Sequence, residues 1–428
     1  MKQNEKFTRR NFLGTVAAAS ALYVACGKSK SSWEMPTILD QAPDGKPLKM
    51  GLIGCGGRGT GAAIQFLQAG PNLQIVAMAD VFQDRLDSSK ERIKKQTGQE
   101  APAENCFIGF DAFKKVIDSG VDVVILATPP HFRPEHFAAA IDARKHVFME
   151  KPVAVDPVGA RSIMDTYEKA NALGLTVVTG TQRRHQRHYL EAYKKVMDGA
   201  IGEIRAARCY WLGGQLWYKT RRSGWSDMEY MIRDWVNWRW LSGDHIVEQH
   251  VHNIDVVNWF TGMHPISAVG FGARMRRVTG DQYDFFSVDF EMENGIHVHS
   301  MCRQINGCER NVSESLVGTK GQLDISHGWA KIYKRDGSLL WEWKGKEKSP
   351  YNQEHIDLVT AIRTGKQINE AKNTAISTLT AVMGRISAYT GKKVTWDEMM
   401  KSDLRLGPTE YKMGPVPIKA EIPIPGTA

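Results

Sequence analysis

The sequence predicts an α/β protein built on two sheets: a doubly wound parallel sheet in the first half and a large, open, mostly antiparallel sheet in the second. Between residues 46 and 180, short apolar runs alternate with helical patterns, which is typical of buried parallel strands covered by helices. The first run leads directly into a glycine-rich turn and a helix. After residue 200 the strand patterns are longer and partly alternate polar with apolar residues, which favours an antiparallel sheet.

Local patterns place the individual elements. In the first half, strands are predicted at Lys49–Ile53, Leu73–Asp80, Glu104–Ile108, Val121–Ala127, His146–Glu150 and Thr176–Gly180, and helices at Pro134–Ala143 and Pro157–Leu173. In the second half, strands are predicted at Ile204–Leu212, Ile266–Arg274, Tyr283–Glu291 and Ile296–Arg303, and helices at His355–Thr364 and Ala371–Thr390. The tail from Gly407 onward is rich in proline and is predicted to be extended.

The glycine-rich turn has the pattern G-x-G-x-x-G, formed by Gly54, Gly56 and Gly59, with Gly57 and Arg58 inside it. A dinucleotide site needs strand, turn and helix in this order, because the glycines allow a tight turn, close approach of the pyrophosphate and close helix packing. The phosphates then lie on the free N–H groups of the helix N-terminus. The pattern therefore predicts a dinucleotide in a Rossmann domain; a glycine turn without a cofactor is the alternative.

Asp80 ends the second predicted strand, about 20 residues after the last glycine, where a carboxylate accepts hydrogen bonds from the adenosine ribose. A carboxylate would repel a 2′-phosphate, so Asp80 favours NAD. Arg58 and Arg85 are near enough in sequence to leave NADP open.

Further polar residues follow the fourth and fifth predicted strands. Thr128, Pro129 and His131 follow the fourth, while Glu150 and Lys151 end the fifth. Because ligands bind at the carboxyl ends of parallel strands, these residues are predicted to contact the cofactor, with Lys151 near the nicotinamide. The alternatives are a surface lysine in a turn and a histidine that caps the next helix.

The ordered motifs resemble those of the Gfo/Idh/MocA oxidoreductases: the glycine fingerprint, Thr-Pro-Pro-His at 128–131 and Glu-Lys-Pro at 150–152. The resemblance covers nearly all of the chain after its N-terminal segment. It implies a Rossmann domain followed by an α/β domain with an open sheet through which family members associate. It also implies that Lys151 is catalytic.

A second family signature, D-x-G-x-H-x-x-D, corresponds to Glu248, His250, His252 and Asp255, with glutamate for the first aspartate and histidine for the glycine. Glu248 and His252 are four residues apart, so on one helix the carboxylate would orient the imidazole. By resemblance, His252 is the general acid or base and Lys151 its partner. A helix whose histidines are merely packed or solvated is the alternative.

The remaining candidate residues surround this motif. Gln182 is predicted to contact the cofactor, and Arg183, Arg184, Trp238, His250 and Asp255 the substrate. An aromatic-rich stretch suits either a sugar or a packing surface: Tyr210, Trp211, Trp217, Tyr218, Trp225, Tyr230, Trp235, Trp238 and Trp240. The histidine cluster around His245 fits a polar substrate pocket better than a metal site, so no metal is predicted.

Composition limits the class of protein. The 428 residues are 42% hydrophobic and 24% charged, as in ordinary globular proteins. The net charge of +9 comes from scattered basic residues, so nucleic acid is not a predicted partner. The cysteines after Cys26 are widely spaced, which argues against a disulfide framework, although Cys302 and Cys308 could pair across a turn.

Residues 1–32 are predicted to be a twin-arginine export signal and tether. Arg9 and Arg10 precede an apolar stretch from Phe12 to Ala25, which is too short to span a membrane. Cys26 follows a sequence similar to a lipobox, so the exported chain is predicted to be either lipid-anchored or periplasmic.

Three further regions follow the signal: a cofactor domain (46–180), a substrate and oligomerisation domain (181–350), and C-terminal helices with an extended tail that pack back on the first domain (351–428). The predicted activity is NAD(P)-dependent oxidation of a sugar, polyol or glycoside hydroxyl with a tightly bound cofactor, in a homo-oligomer. One alternative is a redox-neutral NAD-dependent glycosidase that oxidises, eliminates, hydrates and reduces. Another is a non-catalytic sugar-binding lipoprotein.

Overall fold

The computed structural model describes residues 37–346 and 348–427. The predicted export signal lies outside these residues. The strands are β1 Leu48–Ile53, β2 Leu73–Asp80, β3 Cys106–Ile108, β4 Val123–Leu126, β5 His146–Met149, β6 Val177–Thr179, β7 Ile204–Gly213, β8 Pro265–Ala273, β9 Phe285–Met292, β10 His297–Gln304, β11 Asn311–Gly318, β12 Gly321–Ser326, β13 Trp329–Lys334, β14 Leu339–Glu342 and β15 Val394–Thr395.

The helices are α1 Gly57–Leu67, α2 Gln83–Thr97, α3 Ala112–Asp118, α4 Arg133–Asp142, α5 Pro157–Ala172, α6 Arg187–Met197, α7 Asp227–Arg233, α8 Arg239–Ser242, α9 His245–Glu248, α10 Val251–Thr261, α11 Pro350–Thr364, α12 Ala371–Thr390 and α13 Trp396–Lys401. None of them, among the described residues, combines the length and apolar character that a membrane crossing needs. The tail after α13 is extended, as predicted.

The first sheet has the order β3-β2-β1-β4-β5-β6 and is parallel throughout. This is the doubly wound order of dinucleotide-binding domains, in which the order reverses between β1 and β4. The strands are apolar because helices cover both faces, and every residue of β4 is buried. The predicted fold class of this half is confirmed.

The second sheet has nine strands in the order β14-β13-β12-β11-β7-β10-β9-β8-β15. Its pairs are antiparallel except for β7 and β10, so the sheet is mostly antiparallel, as predicted. Helix α12 covers one face; a Cβ at Gly270 of β8 would lie only 3.0 Å from the Gly384 carbonyl oxygen. Along β9, buried Phe286, Val288 and Phe290 alternate with more exposed residues.

Two of the three glycines in helix α1, Gly59 and Gly61, have opposite surroundings. A Cβ at Gly59 would lie 1.9 Å from the carbonyl oxygen of Gly54, whereas at Gly61 the nearest atom, in the Arg58 side chain, would be 3.7 Å away. Backbone cannot yield as a flexible side chain can. Gly59 is therefore the position where helix and turn meet most closely.

We expect Gly59→Ala to push the helix off the turn, lowering both the free energy of unfolding and dinucleotide affinity. Gly61→Ala is the matched control, and it should stabilise the chain by up to about 1 kcal/mol because alanine is the better helix former. Denaturant unfolding and calorimetric titration with NAD measure the two effects. Equal behaviour of the two variants would contradict this account of the turn.

Candidate active site

The glycine turn presents an open cradle. Gly54 has φ +98, and a Cβ there would lie 2.6 Å from backbone atoms of Ala127 and Thr128, so β1 and β4 approach closely at this point. A Cβ at Gly56 or Gly57 would instead meet nothing within 4 Å. The space above these two glycines adjoins the N-terminus of α1, where anionic phosphates are favoured. The turn therefore fits a dinucleotide pyrophosphate.

Asp80 completes this cradle. Its carboxylate accepts hydrogen bonds from the backbone N–H of Cys55 (2.7 Å) and of Phe82 (2.9 Å). Burial raises the pKa of Asp80, and these N–H groups oppose the rise. The carboxylate is thus fixed against the turn, at the edge where the adenosine ribose is expected.

A cleft of about 490 Å³ lies over the turn, within the usual range for a ligand site. The predicted cofactor residues that line it are Gly54, Gly56, Gly57, Arg58, Gly59, Asp80, Thr128 and Pro129. Arg85, His136 and a set of residues from the second half of the chain line it as well. Since Asp80 and the turn form its floor, this cleft corresponds to the adenosine and pyrophosphate half of a dinucleotide.

Lys151 lies at the carboxyl end of β5, as predicted. Its ammonium group donates to Glu248 twice, to Oε1 at 2.8 Å and to the backbone carbonyl oxygen. Both side chains are largely buried, each with 12% of its surface exposed. The structure therefore joins the end of β5 to the end of α9 through one charged pair.

His252 lies close to this pair but is not held by Glu248. Helix α9 ends at Glu248 and α10 begins at Val251, so the expectation of one continuous helix is wrong. The backbone N–H groups of Gln249 and His250 both bond to the carbonyl of His245, which closes the first helix there. The Gln249 side chain also accepts a hydrogen bond from Gln304 on β10 (2.7 Å).

The imidazole of His252 is buried against the second sheet. It stacks on Trp211 of β7, with ring centroids 5.9 Å apart, and its Nδ1 has no hydrogen-bond partner among the described residues. Burial lowers the pKa of His252 well below its ordinary value, and the positive charges of Lys151 and Arg183 lower it further. His252 is therefore neutral at neutral pH and available as a proton acceptor.

Arg58 connects the glycine turn to the end of β5. Its guanidinium donates to Glu150 (2.5 Å), which precedes Lys151, and to Glu354 on α11 (2.5 Å). Glu354 is fully buried, and burial raises its pKa well above the ordinary value while Arg58 opposes the rise. Arg58 and Glu150 thus form the electrostatic link between cofactor turn and Lys151. Contacts of either residue with the cofactor stay predictions.

Arg133, which sequence reasoning missed, fixes the ends of β4 and β5. This buried side chain donates to the carbonyl of Thr128 (2.6 Å) and to that of Pro152. Burial lowers its pKa to about 10. A signal was available, since an arginine two residues after His131 follows the predicted cofactor loop directly.

Two arginines predicted to contact the substrate form buried ion pairs. Arg183 bonds to Glu314 of β11 (2.5 Å), and Arg184 to Asp255 of α10 (2.8 and 2.9 Å). Asp255 also accepts from Ser377 (2.8 Å). These pairs join the segment after β6 to the second sheet and to α12, so the structure gives Arg183, Arg184 and Asp255 a supporting position behind the site.

Two other candidates, His250 and Trp238, are buried, and their predicted substrate contacts stay predictions. His250 is fully buried and bonds through Nε2 to Ser300 of β10 (2.7 Å). Trp238 is 5% exposed and meets Tyr230 edge to face. Trp238 belongs to an apolar core that the local sequence pattern does not reveal.

His131 does not line the cleft, and its predicted cofactor contact stays a prediction. Its Nε2 is 2.7 Å from the hydroxyl of Tyr411 in the C-terminal tail, and its ring meets Trp240 edge to face. Burial lowers its pKa to about 3. His136, one helical turn further, lines the cleft instead, with Nδ1 3.4 Å from Thr128 Oγ1.

The remaining predictions concern Gln182, a metal site and the pair Cys302 and Cys308. Gln182 lies in a short 3₁₀ turn after β6, outside the cleft walls, and its cofactor contact stays a prediction. Within the described part of the chain, no group of three His, Cys, Asp or Glu side chains is arranged to hold a metal. Cys302 and Cys308 are both free thiols, so the suggested pairing is not formed.

Comparison with known proteins agrees with this geometry. Residues 48–179 match the model of an oxidoreductase family with an NAD-binding Rossmann fold, and residues 189–324 match the Gfo/Idh/MocA C-terminal domain. The chain belongs to the Gfo/Idh/MocA family of oxidoreductases. The sequence resemblance is thereby confirmed, and the dinucleotide that the cradle fits is NAD.

Individual relatives are distant. A glycosyl hydrolase family 109 protein of Streptomyces coelicolor is 26% identical over 48% of this chain and 44% of its own length, so the chain spans under half of that relative. The scyllo-inositol 2-dehydrogenase (NAD(+)) of Bacillus subtilis is 21% identical over 74% of this chain and 87% of its own.

Solved structures share the fold. The scyllo-inositol dehydrogenase of Lactobacillus casei, determined with bound NAD(H) and scyllo-inositol, aligns with a TM-score of 0.61 at 20% identity. The alignment covers 82% of this chain and 99% of that one. Both sheets therefore belong to a common architecture.

Proposed function

We propose that this chain is an NAD-dependent oxidoreductase that oxidises a hydroxyl of a sugar, polyol or glycoside and keeps its cofactor tightly bound. The observation that carries the proposal is the Lys151–Glu248 pair beside a neutral, buried His252. This places a fixed positive charge and a proton acceptor together at the carboxyl ends of the parallel strands. The polyol dehydrogenases among the relatives support the same substrate class.

The roles of the side chains follow from their charges. His252 accepts the proton of the substrate hydroxyl, which its lowered pKa permits at neutral pH. Lys151 donates a hydrogen bond to the same oxygen and stabilises the negative charge that develops on it. Glu248 accepts a hydrogen bond from the Lys151 ammonium group and fixes its direction. NAD, when bound, supplies the hydride acceptor.

Lys151→Ala should lower kcat/KM for the oxidised sugar or polyol by at least about a hundredfold, since loss of one hydrogen-bond donor to a developing oxyanion commonly costs that much. NAD binding should be largely retained, because the cradle is formed by other residues. The matched control is Lys145→Ala, one residue before β5 at its opposite end. Reduction of NAD at 340 nm measures turnover, and titration calorimetry measures binding. Unchanged turnover in Lys151→Ala would refute the assignment.

The glycosidase is the second candidate, favoured by the family 109 relative. It requires the same residues. One sugar carbon is first oxidised, the aglycone is then eliminated and water is added, and the same carbon is finally reduced. The same purified protein separates the two: net NADH from free polyols supports the dehydrogenase, whereas aglycone release from chromogenic glycosides without net NADH supports the glycosidase. Absence of both activities, with sugar binding retained, would favour the non-catalytic alternative.

We propose further that the chain is exported by the twin-arginine route and anchored through acylated Cys26. Arg9, Arg10 and the lipobox-like sequence before Cys26 support this. The wild type should then fractionate with membranes, and Cys26→Ser should appear in the soluble periplasmic fraction. Cys308→Ser is the matched control. A soluble wild type would overturn the anchor.

We also propose that copies associate through the outer face of the second sheet. Val269 and Phe271 on β8 are 41% and 70% exposed and point away from α12, which covers the other face. Sedimentation should show an oligomer that Phe271→Glu dissociates, since a charge in a buried apolar contact is costly. A monomeric wild type would contradict this.

A further inference from the structure

The cofactor cleft has a second wall that does not come from the Rossmann domain. Five residues between β7 and α8 line it opposite the glycine turn: Trp217, Lys219, Ile232, Arg233 and Trp235. We call the segment from Trp217 to Trp235 the cap. Because Asp80 and the turn form the floor, the cap lies over the adenosine half of a bound dinucleotide.

The cap is fixed internally and to the first domain. The backbone N–H of Lys219 donates to Asp234 (2.7 Å), which holds the cap loop against the end of α7. Arg233 donates to both carboxylate oxygens of Asp84 on α2 (3.1 Å each). Its guanidinium also lies 3.9 Å from the centre of the Phe82 ring, two residues after Asp80. The cap is thus closed over the cleft in this structure.

The C-terminal tail crosses the outside of the cap. We call residues 402–427 the strap. The backbone carbonyl of Gly414 accepts from Met228 of α7 (3.1 Å), and the N–H of Val416 donates to Asp227 (3.2 Å). On one side of these contacts, Leu406 N–H bonds to Asp156 before α5 (2.8 Å). On the other, the Pro423 carbonyl accepts from Tyr283 (2.8 Å).

Cap, strap and first domain share one small apolar core. It contains Phe82 and Phe132 from the first domain, Met228, Met231 and Ile232 from the cap, and Trp238, Trp240, Leu241 and Val416. Leu406, Tyr411 and Ile418 of the strap pack against it. Opening the cap therefore exposes apolar surface from three separate parts of the chain, which is unfavourable in proportion to its area.

We propose that the cap is the outer wall of the NAD site, that Trp217 contacts the adenosine half of the cofactor, and that the strap holds the cap closed so that NAD leaves slowly. This inference rests on the proposed function in assuming that NAD is bound. It adds the residues that retain it: Trp217 and Arg233 at the cleft, and Val416 behind them. An aromatic side chain beside an adenine contributes through stacking.

The first test is Trp217→Ala. Trp217 is 47% exposed, so its removal leaves the folded core intact, and the neighbouring Tyr218, 42% exposed and outside the cleft walls, provides the matched control Tyr218→Ala. Each protein is loaded with radiolabelled NAD and chased with unlabelled NAD. We expect release from Trp217→Ala to be about tenfold faster, as loss of one stacking contact predicts. Equal release rates for the two variants would overturn the role of Trp217.

The second test addresses the strap. Val416→Ala shortens a buried strap residue of the shared core, and Ile424→Ala shortens a strap residue that is 64% exposed. Val416→Ala should release NAD several-fold faster than Ile424→Ala with unchanged far-ultraviolet circular dichroism. Identical release from the two would overturn the role of the strap. Because Val416 does not line the cleft, faster release cannot come from a lost direct contact.

These readouts are independent of the reaction. A wild type that binds NAD but oxidises no polyol would refute the proposed activity and leave the cap inference standing. A wild type that turns over polyols while Trp217→Ala and Val416→Ala hold NAD as firmly as their controls would refute the cap inference alone. A wild type that binds no NAD overturns both.

Discussion

The guanidinium of Arg58 joins three parts of the chain that the site depends on. It lies in the glycine turn and donates to Glu150 at the end of β5, to Glu354 on α11 and to Gln65 on α1 (2.6 Å). Both glutamates are buried, and buried carboxylates need a charged or hydrogen-bonding partner. Burial by itself lowers the pKa of Arg58, but the two carboxylates outweigh it and raise the pKa, so the arginine stays charged.

This arrangement makes the cofactor turn and Lys151 parts of one unit. Glu150 is held by Arg58, and the next residue, Lys151, is held by Glu248 at the end of α9. Because Glu150 and Lys151 are adjacent, these two ion pairs connect the glycine turn to the end of α9. Site geometry of this kind benefits from charged groups on rigid element ends, since small errors in position cost much activity.

The electrostatics also set the protonation state of His252. His252 is buried and faces the charges of Lys151 and Arg183, so its protonated form is disfavoured in the free enzyme. A substrate hydroxyl that gives up its proton creates a negative charge next to Lys151, which offsets that cost. Under the proposed function, the neutral imidazole accepts the proton and the lysine stabilises the oxygen from which the proton leaves.

The sequence predicts what is local. Strand β2, the glycine turn and Asp80 follow from apolar runs and the spacing of glycines, and α12 has the predicted bounds. The break between α9 and α10 was not predicted; there the Gln249 side chain bonds to Gln304 of a distant strand. The burial of His250 and Trp238 likewise depends on which neighbours the tertiary fold brings to them.

The cap shows the same limit most clearly. From the sequence alone, the aromatic residues in and after the cap suit a sugar or a packing surface equally well. Only the fold brings Trp217 and Arg233 to the cleft and buries Trp238 and Trp240 beneath the strap. The cleft floor comes from the first third of the chain, its outer wall from the middle, and the strap from the end. A cofactor site enclosed in this way is complete only when the whole chain has folded. Such enclosure suits the proposed export of a folded protein and a cofactor that is reduced and reoxidised without leaving.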